Sequence, residues 1–134
     1  MTDQTGSCLC GAVRYRVRGP LRPVIACHCL QCRKTSGHFV AATAAPRDAV
    51  MIEGRLAWYD SSPDASRAFC PVCGSSLFWQ RHGRSEISIH AGTLDGPTGL
   101  TISDHICCAD KGDYYEIEQG AVQFAGPDRK EQVP

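Results

Sequence analysis

The sequence predicts a mainly β fold of small antiparallel sheets. Three observations point there. One run alternates apolar and charged residues with a period of two. Many short β-rich runs follow at close spacing, separated by Gly, Pro, Asp and Ser clusters. Only two short segments have helical character. In "AVRYRVRG", Val13, Tyr15 and Val17 alternate with Arg14, Arg16 and Arg18, which gives one buried and one solvated strand face. The runs "PVIACH", "HFVAATA", "VMIEG", "LAWYD", "SLFWQ", "EISIHAG", "LTISDHICC" and "YYEIE" read as further strands. Residues 30–37, "LQCRKTSG", and residues 45–50, "APRDAV", read as helical turns.

At 134 residues the chain has the length of one domain. That domain is expected over residues 1–124, with a polar flexible tail at 125–134, "AGPDRKEQVP". No apolar run approaches the roughly 20 residues that a membrane helix needs. The first residues, "MTDQTGSCLC", lack the basic-then-apolar order of a signal peptide, so a cytoplasmic location is expected. The formal net charge is zero. Residues 1–50 carry seven basic and two acidic residues, a balance of +5, and the remainder balances it at −5. This is not the domain-wide basic excess of a nucleic-acid binder. The basic first third reads as a solvated strand face or as an attractor for a small anionic substrate. No nucleic acid and no membrane are expected as partners, and oligomeric state is not legible.

Nine cysteines are present, an odd number that excludes complete intramolecular pairing. In a reducing compartment, clustered cysteines more often bind metal or do redox chemistry. Cys70-Pro-Val-Cys73-Gly74 is half of a metal site: the turn between the cysteines aims N–H groups at the sulfurs, and Gly74 permits a left-handed residue. A structural zinc takes four ligands. Cys8 and Cys10, a C-x-C pair followed by Gly11, supply the other half. That leaves Cys27, Cys29 and Cys32 in "CHCLQC" as a three-sulfur set. It fits a catalytic zinc with an open fourth position, an empty trio of reduced thiols, or a partial redox site. His28, between two of these cysteines, points away from them on an extended chain and reads as a supporting or surface group. Cys107 and Cys108 lie in the apolar run "HICCAD"; core packing is expected for at least one, a thiol near the metal being the other reading.

The order C-x-C-G, "CHCLQCRKTSG", "FCPVCGSSL" and "HAGTLDGP" resembles the glutathione-dependent formaldehyde-activating enzymes, whose wider family includes centromere protein V. The resemblance runs from about Gly6 to Ile117 and rests on seven cysteines in order. It implies a β-tent fold of small antiparallel sheets around a structural zinc held by Cys8, Cys10, Cys70 and Cys73. It also implies a second, catalytic zinc on Cys27, Cys29 and Cys32. The implied activity is condensation of formaldehyde with glutathione to S-hydroxymethylglutathione, a carbon–sulfur lyase reaction in reverse. The chain departs from the family near its end, where a segment usually resembling S-K-A-P-W-Y reads "ADKGDYYEI".

A zinc bound by three thiolates is a weak Lewis acid suited to holding a further thiolate, because coordination deprotonates a thiol outright. Arg33 and Lys34, directly after the triplet, could neutralise the carboxylates of a glutathione-like thiol. Ser36 and His38 could orient it or move a proton. Two other classes fit the same cysteines: a zinc-stabilised binding module, and a thiol-based detoxification or metal-buffering protein. Two zinc ions per chain favour the lyase, and one favours the binding module.

Overall fold

Residues 3–128 and residue 132 are described by a computed structural model of the chain. Strand β1 (Gln4–Ser7) pairs antiparallel with β2 (Arg14–Val17). In β2 the predicted alternation is present: Tyr15 and Val17 are buried while Arg14 and Arg16 are exposed. Strand β3 (Val24–Cys27) leads into helix α1 (Leu30–Ser36), which ends at Gly37. Strand β4 (Val40–Pro46) runs into a 3₁₀ turn at Arg47–Ala49 and then β5 (Val50–Glu53). The chain continues through β6 (Ala57–Ser62), β7 (Ala65–Phe69), β8 (Ser76–Arg81), β9 (Glu86–His90) and β10 (Ile102–Ile106). The fold is therefore mainly β, as the short runs predict.

The residues group into two compact units. The first comprises residues 1–22 and 43–99. It holds the three-stranded sheet β1-β2-β5 and, from the end of β4 onward, the order β4-β9-β8-β7-β6. Its interior is apolar: Val13, Val17, Leu77, Phe78, Ile87 and Ile89 are all fully buried. Tyr15 packs edge-on against Phe78 with ring centroids 5.1 Å apart, and its hydroxyl meets that of Thr93 at 2.7 Å.

Gly6 makes this packing feasible. A Cβ there would lie 2.3 Å from the Tyr15 ring and hydroxyl and 2.5 Å from the Thr93 carbonyl oxygen. Gly6→Ala is expected to destabilise the protein by about 3 kcal/mol, the upper range for an overpacked core, because both neighbours are fixed. The denaturant midpoint is the measurement. A loss below about 1 kcal/mol contradicts this close approach.

The second unit comprises residues 23–42 and those from 100 onward, with strand order β10-β3-β4. Here the structure departs from the expected all-antiparallel arrangement, because β10 lies parallel to β3. Period-two alternation is the same for either direction, so the sequence pattern carries no sign of it. The register sets His105 beside Ala26 and Ile106 beside Cys27, and the His28 N–H continues the pairing to the Ile106 carbonyl at 3.0 Å.

Two further differences follow from local context. "YYEIE" is not a strand: Tyr114 ends a turn, and residues 115–118 are irregular. Conversely "ASRAF", with little intrinsic β preference, forms β7, because it is flanked by β6 and β8 on both edges. Of the expected tail, Ala125 and Gly126 accept backbone hydrogen bonds from Ala109 and Cys107. Residues 129–131, 133 and 134 of that tail lie outside the described residues. Among the described residues no helix is long and apolar enough to cross a membrane.

Candidate metal centres

The first unit brings Cys8, Cys10, Cys70 and Cys73 together, with their sulfurs all within 4.8 Å of one another. Two turns build the cluster. After β1, the Cys8 N–H donates to the Val13 carbonyl at 3.0 Å, and the Val13 N–H donates to Cys8 Sγ at 3.3 Å. After β7, the Gly74 N–H returns to the Cys70 carbonyl at 2.8 Å, with Gly74 in the left-handed region at φ 80°. Cys70 Sγ accepts from the N–H groups of Val72 at 3.4 Å and Cys73 at 3.5 Å. The Leu9 N–H donates to Ser75 Oγ at 3.0 Å and so ties one turn to the other.

The sulfur spacing bears on what such a set can hold. Cys8 and Cys10 Sγ are 3.6 Å apart, and Cys10 and Cys70 Sγ 3.8 Å. A disulfide needs about 2.05 Å, and the nine cysteines are free thiols. A zinc tetrahedron with Zn–S of about 2.3 Å places its sulfurs about 3.8 Å apart. The donor set and its spacing therefore fit zinc. The Ser75 hydroxyl, then backbone N–H groups, hold the Cys73 thiol down to about 5, so that it is ready to bind as thiolate.

The second unit brings Cys27, Cys29 and Cys32 together, again within 4.8 Å. Cys27 ends β3, Cys29 caps α1, and Cys32 lies in the first turn of the helix. The strand-to-helix corner thus converts the C-x-C-x-x-C spacing into one cluster. Cys29 Sγ accepts the Cys32 N–H at 3.3 Å, a helix cap made by sulfur. These three also fit a thiophilic metal, leaving room for a further donor. The Cys107 thiol is a hydrogen-bonding neighbour of both Cys27 and Cys29. Hydrogen bonds from Cys107 first, then from Cys27 and Cys32, hold Cys29 well below the thiol range. Hydrogen bonding pushes Cys27 up, with Cys107 foremost.

His28 points away from the sulfurs, but it is a buried group and not a surface one. Its Nδ1 meets the Tyr115 hydroxyl and its Nε2 meets His105 Nδ1 at 2.9 Å. Burial, then the charges of His105, His38 and Lys111, pull its pKa down to about 4, so the ring is neutral near pH 7. Phe39 packs on it with ring centroids 4.9 Å apart. His28, Phe39, His105 and Tyr115 line a cavity of about 470 Å³, whose wall continues through Ile102 and residues 116–122. The irregular path of "YYEIE" thus serves to bring Tyr115 to His28 and Tyr114 to His38, whose Nδ1 and Oη lie 2.8 Å apart. His105 and Tyr115 had no sequence signal as site residues, because the approach of His105 depends on the parallel register of β10 and that of Tyr115 on the irregular path after it.

The remaining candidates divide. Arg33 Nε is buried without a hydrogen-bond partner, whereas Lys34 is exposed on α1. The Ser36 hydroxyl lies 2.7 Å from both the Cys32 and His38 carbonyl oxygens and is taken up in finishing the helix. Cys108 is half-buried, and its N–H donates to the Phe124 carbonyl at 3.0 Å.

Comparison with known proteins gives three kinds of match. Residues 3–110 match the family model described as glutathione-dependent formaldehyde-activating enzyme. An uncharacterized lyase of Schizosaccharomyces pombe is 29% identical over 126 residues, covering 92% of both chains. A Halomonas elongata protein, provisionally named a glutathione-dependent formaldehyde-activating enzyme, is 32% identical over 126 residues, with 84% of this chain and 80% of its own covered. A crystal structure of a Rhodobacter sphaeroides protein superposes with a TM-score of 0.57 at 27% identity, covering 71% of this chain and 91% of that one.

Proposed function

The chain belongs to the glutathione-dependent formaldehyde-activating enzyme family, and we propose that it is a zinc-dependent carbon–sulfur lyase acting on a small thiol–aldehyde adduct of the S-hydroxymethylglutathione type. The observation that carries this reading is the meeting of Cys27, Cys29 and Cys32 within 4.8 Å as a three-donor set, in a chain that also has a closed four-donor set. Cys8, Cys10, Cys70 and Cys73 would hold a structural zinc, and the triplet a catalytic one. Zinc at the triplet would supply affinity for a substrate thiol in its deprotonated form.

The reaction adds the thiol sulfur to the carbonyl carbon and moves the thiol proton to the carbonyl oxygen, so it needs no oxidant. The reverse breaks the same carbon–sulfur bond. The chain's contribution is positional. Arg33 offers an unsatisfied, buried Nε–H to a carboxylate of the thiol substrate. Tyr115 and the neutral His28 and His105 form a continuous polar line on the cavity wall, suited to hydrogen-bonding a hydroxymethyl group. Holding thiol and aldehyde together supplies effective concentration.

The test is exchange NMR of formaldehyde with a panel of thiols at equilibrium. Zinc-loaded protein is expected to speed interconversion of free and adduct glutathione in proportion to its concentration, with metal analysis giving two zinc ions per chain. No acceleration with any thiol, together with one zinc per chain, would favour the binding-module reading.

A further inference from the structure

Cys107 follows the last residue of β10, beyond the point where Ile106 is in register with Cys27. Continuing that register would set Cys107 opposite His28, on the face away from Cys27. The backbone does not continue. Cys107 takes the left-handed conformation, φ 56° and ψ 36°, and is the sole non-glycine among the described residues with positive φ. For a cysteine this region is sparsely populated, and it persists where the surroundings hold it. Here three backbone bonds do so: the N–H groups of Cys107, Cys108 and Ala109 donate to the carbonyls of Gly126, Phe124 and Ala125 at 3.0, 3.0 and 3.2 Å. The consequence is a thiol turned onto the sulfur cluster. Cys107 is 7% exposed, and its thiol neighbours two of the three triplet sulfurs, Cys27 and Cys29. A tight group within 4.8 Å is formed by Cys27, Cys29 and Cys32, so Cys107 approaches it from one side.

We propose that Cys107 is a fourth, displaceable ligand for the thiophilic divalent metal held by Cys27, Cys29 and Cys32. Cys107 closes the site when no substrate thiol is bound and gives up its place when one arrives. This rests on the reading of the triplet as a metal site. The exchange balances: the metal–sulfur bond to Cys107 breaks, one to the incoming sulfur forms, and the proton lost by the incoming thiol goes to the Cys107 sulfur. The charge of the metal–sulfur centre is unchanged by the exchange. A closed four-sulfur state also shields the triplet from oxidant between turnovers, because the accessible thiolate is the oxidisable form.

The test is competition for zinc against a chromophoric chelator, using the full chain, Cys107→Ser and Cys107→Ala, each with and without glutathione. Without glutathione, the second zinc is expected to be held at least about tenfold more weakly by both variants. The four-cysteine site is unchanged, and saturating glutathione removes most of the difference. Equal second-site affinity without thiol overturns the proposal. If neither the wild type nor the variants take a second zinc under any condition, the triplet reading itself has failed. Should the variants not fold, zinc-loaded wild type is treated with iodoacetamide and mapped by mass spectrometry. Glutathione is then expected to expose Cys107 to alkylation while Cys27, Cys29 and Cys32 stay protected; no glutathione-dependent change at Cys107 overturns the proposal.

Discussion

Replacing Cys70 by serine is expected to leave the protein without a cooperative unfolding transition. Cys70 is fully buried, and its sulfur accepts two backbone N–H groups while facing Cys10 at 3.8 Å. On the proposed reading it is one of four thiolates on a structural zinc. Structural-zinc binding is worth about 10–16 kcal/mol in small domains. Total stability of a domain is about 5–15 kcal/mol, so loss of this site exceeds the margin. Serine is too poor a ligand to restore it and leaves a buried hydroxyl that must find partners. A zinc chelator strong enough to empty the site should have the same effect on the wild type. The measurements are near-ultraviolet circular dichroism, the thermal transition and zinc content. A Cys70→Ser protein that unfolds cooperatively near the wild-type temperature, with one zinc fewer, removes the structural role.

Local patterns are legible in this chain, and pairings across distance are not. The C-x-C, C-x-x-C and C-x-C-x-x-C spacings act within a single turn, so they identify the triplet and each half of the four-cysteine cluster, and the four-ligand demand of a structural zinc joins those halves. The Arg14–Val17 alternation likewise gives β2 with its buried face correct. Strand β7 is hidden because Ala65, Ser66 and Arg67 have little β preference, and its neighbours on both sides impose the conformation. The parallel pairing of β10 with β3 is hidden because a crossover leaves no mark on either strand. From that one pairing follows His105 against His28, and Cys107 reaches the triplet where the pairing ends and the backbone turns left-handed. "YYEIE" misleads for the opposite reason: its tyrosines satisfy a strand pattern but are held by histidine partners, Tyr115 by His28 on the cavity wall and Tyr114 by the exposed His38. The cysteine that local reading could not assign is the one whose position depends on a distant register and a left-handed residue.

The second large effect separates chemistry from architecture. Cys29→Ala is expected to bring lyase activity below detection while the protein keeps its fold. Cys29 is half-buried, and the triplet's unit is built on the β10-β3-β4 strands rather than on the sulfur itself. Its structural duty is to cap α1 through the Cys32 N–H, worth on the order of 1 kcal/mol or less for a weak sulfur acceptor. Its proposed chemical duty is larger. Cys29 is the sulfur that the neighbouring thiols hold furthest toward the ionised form, with Cys107 foremost and then Cys27 and Cys32. Losing it leaves Cys27 and Cys32 as the fixed donors, because Cys107 gives up its place when a substrate thiol arrives, and two are too few to retain a catalytic zinc during turnover. Cys29→Ser distinguishes the two duties, because serine is a good helix cap and a poor zinc ligand. It is expected to recover the small stability loss of Cys29→Ala and none of the activity. Thermal denaturation and the formaldehyde–thiol exchange assay, run on both variants beside Cys70→Ser, give the comparison. If Cys29→Ala loses its fold as completely as Cys70→Ser, the triplet is a second architectural site and the lyase reading loses its support. If both Cys29 variants fold and still accelerate the exchange, catalysis lies elsewhere in the chain.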